Sequence, residues 1–191
     1  MRLHRLFVGL SIPKETKQNI ARATLPLPAL FPTGRFIAPE QWHATLSFLP
    51  DQSGDDIRKI LIVLEETARA FPPQNVFFDK IVLGPLDRAP TMIWALGNKI
   101  TSYEMGKIKE FLGKGFGDAG VRAHGENPHH FIAHITLACS NGNIVVPPEY
   151  IFPSLEAEFT APTLELFESV KENGKREYIP LTSFDFTDGA S

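Results

Sequence analysis

Apolar positions alternate along the chain between short runs of period two and longer stripes of period near 3.6, so strands and helices are interleaved. Residues 5–10 (RLFVGL) read as a buried strand. Ser11, Ile12 and Pro13 open a helix to about Arg22, with Ser11 as its N-cap and proline tolerated in the first turn. Prolines 26, 28 and 32 predict a loop that passes through Gly34-Arg35-Phe36-Ile37 into the strand-like run WHATLSFL, which Pro50-Asp51-Gln52-Ser53-Gly54 ends. A helix over 55–70 follows, with Ile57, Ile60, Leu61 and Leu64 as its stripe and Asp55 and Asp56 at its positive end. Strands over 76–83 and 91–96 flank the turn-rich 84–90. Thr101-Ser102-Tyr103-Glu104 reads as a capping box for a third helix, with Met105, Ile108 and Leu112 inward and glycines 113, 115 and 117 ending it. A polar loop over 125–130 feeds a second strand-like run, HFIAHITLAC. After the loop around 147–148 come strands over 163–170 and 178–186, joined by an Asn173-Gly174 hairpin turn. Several strands are joined by tight turns, which favours a mixed α+β fold over a parallel doubly wound sheet.

Composition narrows the class. A chain of 191 residues with 43% apolar and 21% charged residues fits one domain, or one domain of two lobes, over 1–191. Its basic, then apolar start is broken by Pro13, Lys14 and Glu15, so it does not read as a leader, and no run is long enough to span a membrane. The single cysteine, Cys139, precludes an intrachain disulfide and suits a reducing cytoplasm. A net charge of −3 argues against a protein that grips long nucleic acid, though not against one that handles a strand's end. Arg35 and Arg122 are candidate local phosphate contacts. Gly113-Lys114-Gly115-Phe116-Gly117 lacks both the preceding strand and the Ser/Thr of a phosphate loop.

The chemistry lies in a repeat. His43-Ala44-Thr45-Leu46 and His134-Ile135-Thr136-Leu137 sit half a chain apart, each in a strand-like run. With 6 His and 12 Thr, random order yields only about 0.4 His-x-Thr pairs, so two copies that both continue to Leu are not accidental. Strand alternation puts His and Thr of each copy on one face, with Ala44, Leu46, Ile135 and Leu137 toward the core. Two such strands facing across a cleft supply two imidazoles for proton transfer near neutral pH. By the same alternation Trp42, Phe48 and Cys139 point inward as packing residues, and Cys139 reads as a small buried thiol. A platform for a base would include Phe7.

With both motifs placed, the chain resembles the 2H phosphoesterases, and within them the RNA 2′,3′-cyclic phosphodiesterases, also called 2′-5′ RNA ligases. The resemblance rests on the two motifs, the opening Arg5-Leu6-Phe7-Val8-Gly9-Leu10 with Pro13, and the approach Phe36-Ile37-Ala38-Pro39-Glu40-Gln41-Trp42-His43. It also takes in Leu164-Glu165-Leu166-Phe167-Glu168-Ser169 and the Gly174 turn before Tyr178. It implies a bilobal, pseudo-twofold α+β fold, with antiparallel sheets lining a central cleft and helices outside. Two positions depart from the family: Cys139 stands where an Arg is usual, and Ala133 where a Pro is usual. The first implies a weaker hold on phosphate, unless His130, Arg122 or Arg35 has taken the role.

The resemblance further implies metal-independent hydrolysis of a 2′,3′-cyclic end to a 2′-phosphomonoester, with RNA termini or short oligonucleotides as partners, no cofactor and a monomeric state. His43 would donate a proton to the 3′ oxygen and His134 would accept one from water. Thr45 and Thr136 would hold the non-bridging phosphate oxygens. In reverse, the same groups would join a cyclic end to a 5′-hydroxyl. Two other readings stand beside this one. A non-catalytic module would bind RNA ends or cyclic nucleotides, and a metal protein would use the cluster His124, His129, His130 and His134, whose spacing matches no zinc pattern.

Overall fold

The computed structural model describes residues 3–124, 131–147, 149–172 and 175–187. The elements are β1 (His4–Ser11), α1 (Lys14–Thr24), α2 (Leu27–Leu30), β2 (Arg35–Phe36), β3 (His43–Gln52), α3 (Gly54–Ala70), β4 (Gln74–Gly84), β5 (Met92–Gly97) and α4 (Lys99–Asp118). After them come β6 (His134–Cys139), β7 (Ala157–Ala161), β8 (Thr163–Glu172) and β9 (Lys175–Asp185). The strands form one antiparallel sheet in the order β7-β4-β5-β6-β3-β1-β8-β9, with β2 added alongside β6. The two motif strands, β3 and β6, lie side by side in the middle, and each has three further strands on its outer side. The sheet is therefore two four-stranded halves related by a pseudo-twofold between β3 and β6. Ala44↔Ile135 is the matched pair at that seam.

One face of the sheet carries the core. Ala44, Leu46, Ile135 and Leu137 are buried there with Val8, Ile93 and Ala95, and α3 and α4 supply Ile60, Leu64, Met105, Ile108 and Leu112. The stripe expected for α4 is the buried one; of that expected for α3, Ile60 and Leu64 are buried while Ile57 and Leu61 are partly buried at its margin. The other face belongs to the histidines.

Local chemistry moves several expected boundaries. Ser11 is not a helix cap: it ends β1 and donates to the Glu165 carboxylate at 2.7 Å, and α1 starts after Pro13 with no side-chain cap. The proline-rich 26–32 contains the short α2, because Pro26 and Pro28 fit a first helical turn. β3 continues through Pro50 to Gln52, and α3 begins at once from Ser53, whose hydroxyl and Asp56 form a capping box. α4 is capped by Asn98 rather than Thr101; the Asn98 side chain accepts from the Thr101 N–H at 2.7 Å, while the Thr101 hydroxyl accepts from the Phe77 N–H at 2.9 Å. Glycines 113, 115 and 117 lie inside α4, and at Gly115 the missing Cβ admits Val63 of α3, which a side chain would meet at 2.7 Å. β2 and β7 are too short to register as strands by pattern. The Asn173-Gly174 turn lies outside the described residues. Among the described residues no helix is long and apolar enough to cross a membrane.

Candidate active site

Both motifs carry the same distortion. β1 pairs Val8 with Ser47 and Gly9 with Thr45, skipping Leu46; β5 pairs Ile93 with Ala138 and Trp94 with Thr136, skipping Leu137. The motif leucine is in each case the extra residue of a β-bulge, and it is buried together with its successor. Two consequences follow. The bulge sharpens the strand's twist just beyond the His-x-Thr pair. It also reverses the alternation, so the residues expected to point inward are turned to the histidine face. Phe48 is accordingly 49% exposed rather than packed, and Cys139 is half-buried rather than core. Trp42, ahead of the bulge, is buried as expected, its indole N–H donating to the Ile37 carbonyl at 3.0 Å.

An antiparallel step to either side of Ala44↔Ile135 brings His43 toward Thr136 and Thr45 toward His134. The four side chains are half-buried on the face opposite the core. The two imidazoles are held alike. His43 Nδ1 lies 2.8 Å from the Gln41 carbonyl and His134 Nδ1 lies 2.9 Å from the Ile132 carbonyl, each two residues upstream. A carbonyl only accepts, so Nδ1 carries the proton in both rings and Nε2 is the nitrogen that exchanges one with a substrate.

Each ring rests on an aromatic floor. His134 stacks on Trp94 with ring centroids 3.9 Å apart at 19°, and His43 lies over Phe7 at 4.5 Å with the Tyr178 edge at 4.7 Å. Phe7 is 1% exposed and stacks on Phe167 at 4.9 Å, so it supports the imidazole and is not a platform for a base. On the other side the floor depends on Gly84, where a Cβ would come within 2.3 Å of the Trp94 indole. Gly84→Ala is expected to displace that indole and His134 with it. Overpacking of this kind costs about 1–3 kcal/mol, a melting temperature lower by roughly 3–9 °C, and a misplaced imidazole slows turnover by about tenfold or more. Thermal melts and initial rates check both effects.

Burial lowers the His43 pKa from 6.5 to about 4, against the Gln41 carbonyl, which raises it; nearby Lys17 and His134 push it further down. Before substrate binds, His43 is therefore neutral. Its native pKa lies below the unfolded one, so the unfolded chain takes up a proton that the folded chain refuses as pH falls from about 6.5 to about 4. That refusal destabilises the fold by up to about 3 kcal/mol at the acid end of the window. His43→Gln is expected to flatten the fall in melting temperature between pH 6.5 and pH 4, and an unchanged slope would contradict it.

Of the remaining candidates, Arg35 pairs across β2 and β6 with Cys139, on the histidine face. Burial raises the Cys139 thiol pKa, opposed by Arg35, so the thiol is protonated and not a nucleophile. The Arg35 side chain thus stands beside Cys139. Cys139→Arg, at a half-open site, is expected to fold and to lower the Michaelis constant several-fold without changing the shape of the pH profile; unchanged binding would make the departure silent. Ala133 has its own reason: its N–H donates to the Ser102 hydroxyl at 3.1 Å, which proline cannot do. Arg122 is exposed beside the far end of β3, where its carbonyl accepts from the Gln52 amide at 2.7 Å. His130 and His129 lie outside the described residues. Among the described residues no three His, Cys, Asp or Glu side chains converge as a metal site.

Sequence reasoning missed Gln41, Trp94 and Tyr178 as parts of the site. Gln41 does double duty, holding His43 through its carbonyl and accepting from the Tyr178 N–H through its side chain at 2.6 Å. The i−2 carbonyl is a backbone group, and Tyr178 arrives from the far end of the chain, so neither leaves a mark near the motif. Trp94 was findable: it lies on β5, next to the second motif strand, at the same alternation as Leu96 and Met92.

Residues 10–94, which include the first motif, match the family described as LigT like Phosphoesterase. The whole chain has the fold of Escherichia coli LigT, here in complex with 3′-AMP: TM-score 0.78, 20% identity, covering 98% of this chain and 100% of that one. TT0787 of Thermus thermophilus is similar at TM-score 0.77 and 20% identity over 95% of this chain and 97% of that one. The PDE domain of MHV ns2 shares the fold more distantly, with TM-score 0.58 and 13% identity over 86% of this chain and 99% of that one. E. coli LigT has also been crystallised with ATP, NADP+ and phosphate.

Proposed function

Because the chain carries LigT-like phosphoesterase sequence over its first half and that fold over its whole length, we propose that it hydrolyses RNA 2′,3′-cyclic phosphodiester ends to 2′-phosphomonoesters by two-histidine acid–base catalysis without a metal. The observation that carries this reading is the matched pair of imidazoles. Both are fixed in one tautomer by an i−2 carbonyl, both turn Nε2 to the same face, and each stands toward the other motif's threonine.

Water attacks phosphorus opposite the 3′ oxygen, and His134 Nε2 takes the water's proton as the new P–O bond forms. The P–O3′ bond breaks, and His43 Nε2–H gives its proton to the departing alkoxide. Thr45 and Thr136 donate to the non-bridging oxygens, whose charge grows in the transition state. His43 is neutral before substrate binds, so its acid role requires a proton that arrives with the substrate. The phosphodiester's negative charge offsets the burial cost, and the same burial makes the imidazolium a ready donor once the leaving oxygen needs it. With a 5′-hydroxyl in place of water, the same path makes a 2′-5′ linkage. The nucleotides bound by E. coli LigT agree with a site for nucleotide phosphates.

Turnover of a 2′,3′-cyclic nucleotide in the presence of EDTA tests the proposal. Undiminished turnover supports it; binding without turnover selects a non-catalytic RNA-end module, and loss of activity to the chelator selects a metal protein.

A further inference from the structure

Next to His43 the cleft opens into a groove of about 610 Å³, walled by Arg35, Gln41, Lys171, Arg176 and Tyr178. That volume suits a nucleotide. Tyr178 is the inner wall, its ring edge against His43. Arg176 is two residues along β9 and therefore on the same face, about 7 Å further out. Lys171 is its cross-strand partner on β8. Arg35 faces them from β2, close enough that it and Arg176 both act on the Tyr178 hydroxyl, holding down a pKa that burial raises.

The carboxylates of the groove do not cancel these charges. Glu40 and Glu177 line the groove as well, two carboxylates against three cations, and Glu40 acts on Lys17. Among the described residues none of the three cations is in an ion pair; Arg176 donates only to the Ser169 hydroxyl at 2.9 Å. Three cations from separate strands, none in an ion pair among the described residues, with Lys171 and Arg176 side by side beyond Tyr178 and Arg35 facing them, suit the phosphates that adjoin a strand's end.

We propose that Arg35, Lys171 and Arg176 form a path for the phosphodiester backbone of the RNA strand whose cyclic end sits between the histidines. The enzyme then selects oligonucleotides over mononucleotides, reading the one or two phosphates adjoining the end and no base. This rests on the functional reading above and adds the residues that discriminate a strand from a mononucleotide.

The test compares a 2′,3′-cyclic mononucleotide with a trinucleotide bearing the same cyclic end. The expected ratio of kcat/KM, trinucleotide over mononucleotide, is about 10 or more in the native enzyme. In Arg35→Gln/Arg176→Gln it falls toward 1, and the salt dependence of the trinucleotide's KM weakens by about 0.7 in log–log slope per lost contact. Lys114→Ala, which removes an exposed charge on α4, leaves the ratio as it is. A native ratio near 1, or a double variant that keeps the native ratio, overturns the proposal. If neither substrate is turned over, the hydrolytic reading has failed and the groove is judged by affinity. A fluorescent RNA trinucleotide ending in a 3′-phosphate should then bind the double variant about tenfold more weakly, and equal binding overturns the path as well.

Discussion

Replacing either His43 or His134 by alanine is expected to lower turnover of a 2′,3′-cyclic nucleotide by roughly 10² to 10⁴ fold, the worth of one general acid or base. The two losses are not interchangeable, because each ring serves a different proton transfer. The native kcat/KM profile should be bell-shaped, with one ring required charged and the other neutral. His134→Ala removes the base, so the residual rate should lose its acid limb; His43→Ala removes the acid, so it should lose its alkaline limb. Both rings stand on the cleft face over intact floors of Phe7 and Trp94, so neither variant opens the core that α3 and α4 cover. Near-native activity in either single variant would end the two-histidine account.

The second large effect concerns the threonines. Thr45→Val and Thr136→Val keep the β-branched shape that the strands need and remove only the hydroxyl. If each hydroxyl donates to a non-bridging oxygen, each change should slow kcat by roughly 10- to 100-fold, and the pair by more, with little movement of the pH limbs. A loss confined to KM would mean that the hydroxyls hold the ground state and the transition state equally. Because the seam sets Thr45 toward His134 and Thr136 toward His43, the two single losses should be similar in size.

Much of this site was legible along the chain. The His-x-Thr repeat fixed which residues share a face, and the half-chain spacing anticipated the pseudo-twofold seam between β3 and β6. The helical stripe over α4, and Ile60 and Leu64 of that over α3, were correct because burial of period-3.6 apolar residues dominates their packing. Failures came where one residue or one distant contact overrides a pattern. A bulge at Leu46 and another at Leu137 reversed the alternation, which turned Phe48 and Cys139 from core residues into cleft residues. Glycines in α4 did not stop it, since Gly115 serves a close approach to Val63 that only tertiary packing reveals. Phe7 was placed in the right region and given the wrong task, because its burial depends on Phe167 and Tyr178 from the far end of the chain.

The most direct test of the chemistry is the identity of the product. A 2′,3′-cyclic mononucleotide is incubated with the native protein in EDTA, and the products are read by phosphorus NMR. Departure of the 3′ oxygen with a proton from His43 predicts a 2′-phosphomonoester as the product. A 3′-phosphomonoester, or no turnover until a metal is added, would contradict the account.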